Sequence, residues 1–170
     1  MVIVDVPVDA EHNSVSISPG DPHNPPPHVP SLADTGLDLN VGDVLTITAD
    51  GQWRISPSDP LTDANGQIGR DSSGFNVSSL LGQISSDGPH MLVTLHPIPP
   101  FFFVGTDYSA PVNEHGRLYL GFNDADYGNN QGQVEAHLQV NPIPEPSTIL
   151  LLGLGLLSLI HWSKKMAAFD

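Results

Sequence analysis

Ten consecutive residues, Asn123-Asp124-Ala125-Asp126-Tyr127-Gly128-Asn129-Asn130-Gln131-Gly132, gather carboxylates, carboxamides and two glycines into one short stretch. Oxygen donors at that density suit a hard cation such as calcium, which takes six to eight oxygens at about 2.3 to 2.6 Å. The plainer alternative is an Asn/Gly-rich turn in which the same side chains serve backbone conformation. An EF-hand register places Asp124, Asp126 and Glu135 at loop positions one, three and twelve. That register fails at position six, where Asn129 stands in place of glycine, and it fails on context, because strand-like runs flank the loop. Glu135 reads as a strand residue. The remaining candidates carry less: His23 and His28, in the proline-rich stretch 19–30, read as neutral surface histidines, and Asn76-Val77-Ser78 is only a formal sequon.

The elements around the loop are β-strands. Leu118, Leu120 and Phe122 alternate onto one face of the run Arg117–Phe122, and Val134, Ala136, Leu138 and Val140 do so in Gln133–Val140. The loop is therefore held at both ends by anchored strands. Similar alternating or β-branched runs occur at Val2–Val6, Ser14–Ser18, Val44–Ala49, Gln52–Ile55, Leu80–Ile84, Met91–Leu95 and Phe101–Val104. With 17 Pro and 16 Gly separating short strands, the expected fold is all-β, an antiparallel β-sandwich, followed by a single C-terminal hydrophobic helix.

Composition narrows the function classes. The chain of 170 residues has no cysteine, which excludes a disulfide framework, a thiolate metal site and a cysteine nucleophile. Residues 1–146 hold 18 of the 19 acidic groups but only Arg54, Arg70 and Arg117 as bases. Such a charge repels phosphate backbones, so no nucleic-acid partner is expected. No nucleophile–base set and no carboxylate pair in a cleft-like setting can be read, so the chain is not expected to be an enzyme.

The tail is a separate unit. Residues 142–147 form a proline-rich spacer, and residues 148–170 an apolar segment with a basic end, leaving residues 1–141 for the sandwich domain. From Thr148 to Trp162 there is no Asp, Glu, Lys or Arg, and Lys164-Lys165 follow. As a helix those fifteen residues rise about 22 Å, short of a hydrocarbon core of about 30 Å. The stretch is nevertheless apolar on every face, with Trp162 and the lysines suited to an interface, so membrane contact through a transmembrane helix is expected. Pro144-Glu145-Pro146-Ser147-Thr148, the leucine-rich run with Gly153 and Gly155, and the basic pair resemble the PEP-CTERM sorting signal of Gram-negative bacteria. The resemblance covers residues 142–165 and implies an exported protein, handled by an exosortase that cuts near Pro-Glu-Pro, at an exopolysaccharide-rich cell envelope or surface. Residues 1–6 lack the basic and long apolar regions of a secretory signal. A signal peptide upstream is therefore expected to be missing from this sequence.

The body resembles the galactose-binding calcium lectins of the LecA type, which implies an antiparallel β-sandwich of the galactose-binding-like or jelly-roll kind. The carrying residues are Asp34-Thr35-Gly36-Leu37, Val41-Gly42-Asp43-Val44-Leu45-Thr46-Ile47, Gly51, Trp53, Leu81-Gly82-Gln83-Ile84, Phe103-Val104-Gly105 and Gly116-Arg117-Leu118-Tyr119-Leu120, leading into Asn123-Asp124…Tyr127-Gly128-Asn129-Asn130-Gln131-Gly132. The resemblance implies Ca2+ held by the side chains of Asp124, Asn129 and Asn130 and by main-chain carbonyls at Asp126 and near Ile55. It makes Asp124, Ala125, Asn129 and Gln67 the sugar-binding residues, with a polysaccharide or glycoconjugate as partner. Two departures stand out. The loop between Asp124 and Tyr127 is two residues shorter than in the characterised galactose binders, and the segment 56–78 carries no histidine, leaving Gln67 as the candidate substitute. The expectation is thus an exported surface or matrix protein that binds carbohydrate through calcium. A structural envelope or biofilm protein with the same fold and no sugar ligand is the alternative.

Overall fold

Eight strands form among the described residues, most of them alternating between buried and exposed side chains and the one at Leu80–Ser85 buried throughout, and their buried faces meet between two sheets. A computed structural model of the chain describes residues 1–15, 31–67, 69, 74–90, 101–124 and 127–143. The strands are β1 (Val2–Asp9), β2 (Ala33–Leu39), β3 (Val44–Arg54), β4 (Leu80–Ser85), β5 (Phe101–Phe103), β6 (Asp107–Pro111), β7 (Gly116–Phe122) and β8 (Gln131–Asn141). They form two four-stranded antiparallel sheets, ordered β1-β8-β3-β6 and β2-β7-β4-β5. This is the interleaved strand order of a jelly roll, so the expected all-β sandwich is present. The expected C-terminal helix and the tail from residue 144 lie outside the described residues, as do the expected strand Met91–Leu95 and the proline-rich stretch with His23 and His28.

The core lies between the sheets. Leu118, Leu120 and Phe122 of β7 and Val134, Ala136 and Leu138 of β8 are fully buried, joined by Val8, Leu45, Ile47 and Trp53. At about 25 cal/mol per Å2 of apolar surface this interior dominates stability, since no disulfide contributes. A smaller apolar cluster, Val15, Leu32 and Leu81 with Phe75, Phe101 and Tyr119 packed against it, covers part of the outer face of the second sheet.

Three strand expectations are revised. The runs Val44–Ala49 and Gln52–Ile55 form one continuous strand, β3, paired with β8 from Val44↔Asn141 to Arg54↔Gln131. The expected strand Ser14–Ser18 is reduced, among the described residues, to a single parallel bridge between Ser14 and Phe122. There Val15 turns onto the second sheet and packs with Leu32 and Leu81 instead of joining a ladder. Two strands lay unseen in the sequence. β2 alternates perfectly between buried and exposed, but its outward Asp34, Gly36 and Asp38 are poor strand formers. β6 is an edge strand ending at Pro111, where a missing N–H costs no ladder bond.

Candidate functional site

The oxygen-rich loop crosses from one sheet to the other. It leaves β7 at Phe122 and enters β8 at Gln131, with a single turn of 3-10 helix at Tyr127–Asn129. β3 ends at the same place, because Arg54 pairs with Gln131 and Ile55 follows one step further. Asp124, Asn129, Asn130 and the main chain of Ile55 thus share one end of the sandwich. Ala125, expected to contact sugar, and Asp126, expected to lend its carbonyl, lie outside the described residues.

Each neighbour of the loop is pinned. Asn123 is 1% exposed. Its Nδ2 donates to the Asn76 carbonyl (2.9 Å), its N–H to Ser79 O (2.9 Å), and its carbonyl accepts from Ser78 N–H (2.8 Å). Trp53 lies beneath, fully buried, edge-on to Phe122 at 4.6 Å, with Nε1 donating to Ser78 O (2.8 Å). On the β3 side, Arg54 donates to Gln131 Oε1 through Nε (3.1 Å) and Nη2 (2.6 Å) and to Pro57 O through Nη1 (3.0 Å). This fixes the turn after Ile55 against the start of β8.

Asn130 is the most informative of the expected ligands. It is 2% exposed, and its Nδ2 donates to the Ala10 carbonyl at 3.1 Å. That bond sets the orientation of the amide. The opposite atom, Oδ1, is buried and accepts no hydrogen bond from the described residues. A buried acceptor without a partner costs about 1 to 3 kcal/mol, and natural proteins rarely leave one. An ordered water or a bound cation would complement it, the cation because it takes an oxygen lone pair directly.

The other expected residues are placed as follows. Asp124 is half-buried, and its carbonyl accepts from Ser14 Oγ (3.1 Å) while its N–H donates to Phe122 O (3.2 Å). Asn129 is exposed on the short helical turn. Ile55 packs against the main core, which holds its main chain at the loop. Gln67 is joined to this end through its N–H to Val77 O (2.8 Å), next to the Ser78 that bonds Asn123. Its Nε2 is also buried without a partner among the described residues. Among the described residues no three of His, Cys, Asp or Glu come together as a metal-holding group, so this donor set is one of carboxamides and carbonyls around Asp124.

The segment Asp9–Val15 is the part of the site that the sequence did not disclose. It supplies Ala10 O to Asn130 and Ser14 Oγ to Asp124, and Ala10 N–H donates to Gly132 O (3.0 Å). Burial works to raise the Asp9 carboxyl, but the His12 ring at 2.8 Å and the main-chain N–H groups of His12 and Glu11 outweigh it and hold it below its usual value. Ala and Ser are too common to signal such a role. The sequon residue Asn76 is occupied structurally, its Nδ2 bonded to Asn65 O (3.1 Å).

Comparison with known proteins bears on both units of the chain. Residues 142–165 match the PEP-CTERM protein-sorting motif. The motif marks an exported protein of the Gram-negative cell envelope and implies handling by an exosortase. It begins at Pro142, immediately after β8. No curated protein matches the chain. Among solved structures it is similar to the EclA N-terminal domain, described as a PllA-like lectin, with TM-score 0.52 and 22% identity over 81% of this chain and 96% of that one. The body therefore has a lectin-like fold in front of a sorting motif.

Proposed function

We propose that this protein binds carbohydrate at the Gram-negative cell surface through a calcium ion held at the Asn123–Gln131 end of the sandwich. The observation that carries the reading is the buried, unpaired Oδ1 of Asn130, aimed by the bond from its Nδ2 to Ala10. A lectin-like fold and a sorting motif for export support it.

A calcium ion in this position supplies coordination positions that two adjacent sugar hydroxyls can fill in place of water. Asn130 Oδ1, the Asp124 and Asn129 side chains and main-chain carbonyls at Asp126 and Ile55 are its protein ligands. Asp124 and Asn129 also hydrogen-bond the hydroxyls, with Ala125 and Gln67 forming the wall. Ser14, Ala10 and Asn123 do not touch the sugar; they hold the ligands in place before it arrives, which lowers the ordering cost of binding. No bond is made or broken. The sorting tail, inserted as an apolar helix, keeps the site at an exopolysaccharide-rich surface.

Calorimetry with galactosides, in calcium and in EDTA, tests this. Saturating calcium, at about 100 times its Kd, adds about 2.7 kcal/mol to stability and raises the melting temperature by roughly 5 to 10 °C. Asp124→Ala removes both this shift and the sugar heat. Calcium stabilisation without heat from any glycan would instead favour a structural envelope protein.

A further inference from the structure

The exposed apolar side chains are not scattered. Of the eight large hydrophobics exposed among the described residues, Met1, Val2, Ile3, Val41, Val44 and Ile143 lie at one end of the sandwich. Val44 pairs with Asn141 at the end of β8, Val2 pairs with Val140, and Ile3 with Gln139. Ile3, Val41, Val44 and Ile143 are each between 40% and 62% exposed. This is the end from which the chain continues into its sorting motif, and it is opposite the candidate ligand loop.

The rim is rigidly built. Asp43 is 5% exposed, its Oδ2 accepting from Asn40 N–H (2.9 Å), and Gly42 and Val112 exchange bonds with the same turn (Gly42 N to Val112 O 2.7 Å, Val112 N to Asp43 O 2.8 Å). Gly42 has φ +91, and a Cβ there would overlap the Ile143 side chain. The first residues of the motif are thus seated on the turn that presents Val41.

Six residues, 142–147, separate β8 from the uncharged stretch 148–162. Fully extended they reach about 20 Å. A bilayer holding that stretch is never further than this from the apolar rim, and a tether so short gives an effective concentration on the order of millimolar or higher. Very weak intrinsic affinity then suffices for contact. Asp38 and Asp87 lie on the side of the second sheet, whereas Ile3 and Val44 lie on the first, with Asp5 two residues along β1 from Ile3. Exposed apolar side chains gathered at one end beside an anchor are what interfacial membrane docking requires, with the bonded pair Gln139–Asn141 between Ile3 and Val44 left at headgroup level.

We propose that the rim formed by Ile3, Val41, Val44 and Ile143 docks onto the lipid surface in which the sorting tail is anchored, standing the sandwich upright. β8 spans the domain from loop to tail over 11 residues, up to about 34 Å for ten steps of about 3.4 Å, so the ligand end is held away from the headgroups by up to that distance. The inference rests on membrane insertion of the tail, and the test separates the two.

The full chain has no cysteine, so single Val41→Cys and Ser58→Cys variants carry a fluorophore cleanly. Each is reconstituted into phosphatidylcholine vesicles containing nitroxide-labelled lipid. Expected is at least two-fold quenching at position 41 and none at position 58. Adding Ile3→Asp and Val44→Asp, both at exposed positions, returns position 41 to the level of position 58 while co-sedimentation with vesicles is unchanged. Equal quenching at the two positions overturns upright docking. Absence of quenching at 41 in vesicle-bound protein overturns lipid as the occupant, including the case in which a second copy covers the rim. Failure to co-sediment at all removes the anchor and the inference together.

Discussion

Ser78 concentrates the tension of the loop region in one residue. It is fully buried, has φ +63, and its Oγ finds no partner. Both main-chain groups are in use, the N–H to Asn123 and the carbonyl from Trp53 Nε1. A left-handed backbone at a non-glycine residue costs on the order of 1 kcal/mol, and an orphan hydroxyl adds to it. Ser78→Gly is therefore expected to leave stability unchanged or raise it by up to about 1 kcal/mol in chemical denaturation. Asn130→Ala should do the reverse in calcium: it frees the Ala10 carbonyl, at about 1 kcal/mol, and it abolishes most of the calcium-dependent rise in melting temperature. The two residues differ in legibility. Asn130 belongs to a dense run of oxygen donors that any reader of the sequence would single out. Ser78 is an ordinary serine whose backbone angle arises only when Asn123 and Trp53 close on it.

At the scale of elements, the β3–β8 ladder governs the site, because the loop grows out of β8. Gly132 has φ +92, and a Cβ there would press on Gln52 O and Trp53 Cα. Gly132→Ala should cost more than 1 kcal/mol, seen as a lower denaturation midpoint, and should weaken calcium binding by shifting Asn130 two residues away. On the outer face of the same sheet, His137 bridges strands: Nδ1 meets Asp5 at 2.8 Å and Nε2 meets Asp50 at 3.5 Å. The bond to Asp5 raises the His137 pKa above its usual value, with Asp50 and Glu135 adding charge. Its contribution is complete below the unfolded value of about 6.5 and is lost as pH rises through the raised folded value. A melting temperature that falls between pH 6 and 8, and falls less in His137→Gln, is the expected outcome. Asp34 acts with opposite sign: the Arg117 guanidinium holds its carboxyl below 3.8, so that support is lost as pH falls through the depressed value. Strand positions with clean alternation, as in β7 and β8, were readable from residues alone. β2 was not, because its inward Thr35 is satisfied by a bond to Leu118 O that only the paired strand supplies.

For the whole molecule, the jelly-roll order means that partners are distant in sequence, β1 with β8 and β2 with β7. Folding dominated by such pairings is expected in the range of milliseconds to seconds, measurable by stopped-flow Trp fluorescence at the buried Trp53. The class of fold was legible from short strands and turn residues. Which strands lie side by side was not, since periodicity carries no information about partners. One consequence of the strand order concerns mechanical load. β8 leads from the ligand loop at Gln131 to the sorting motif at Pro142, and β1 and β3 flank it along its length. In the proposed function, a pull between a captured polymer and the cell would run along β8 and shear both ladders at once, so their hydrogen bonds would have to fail together and not one by one. Stretching the chain between loop and tail is expected to require more force than pulling β1 away from its edge.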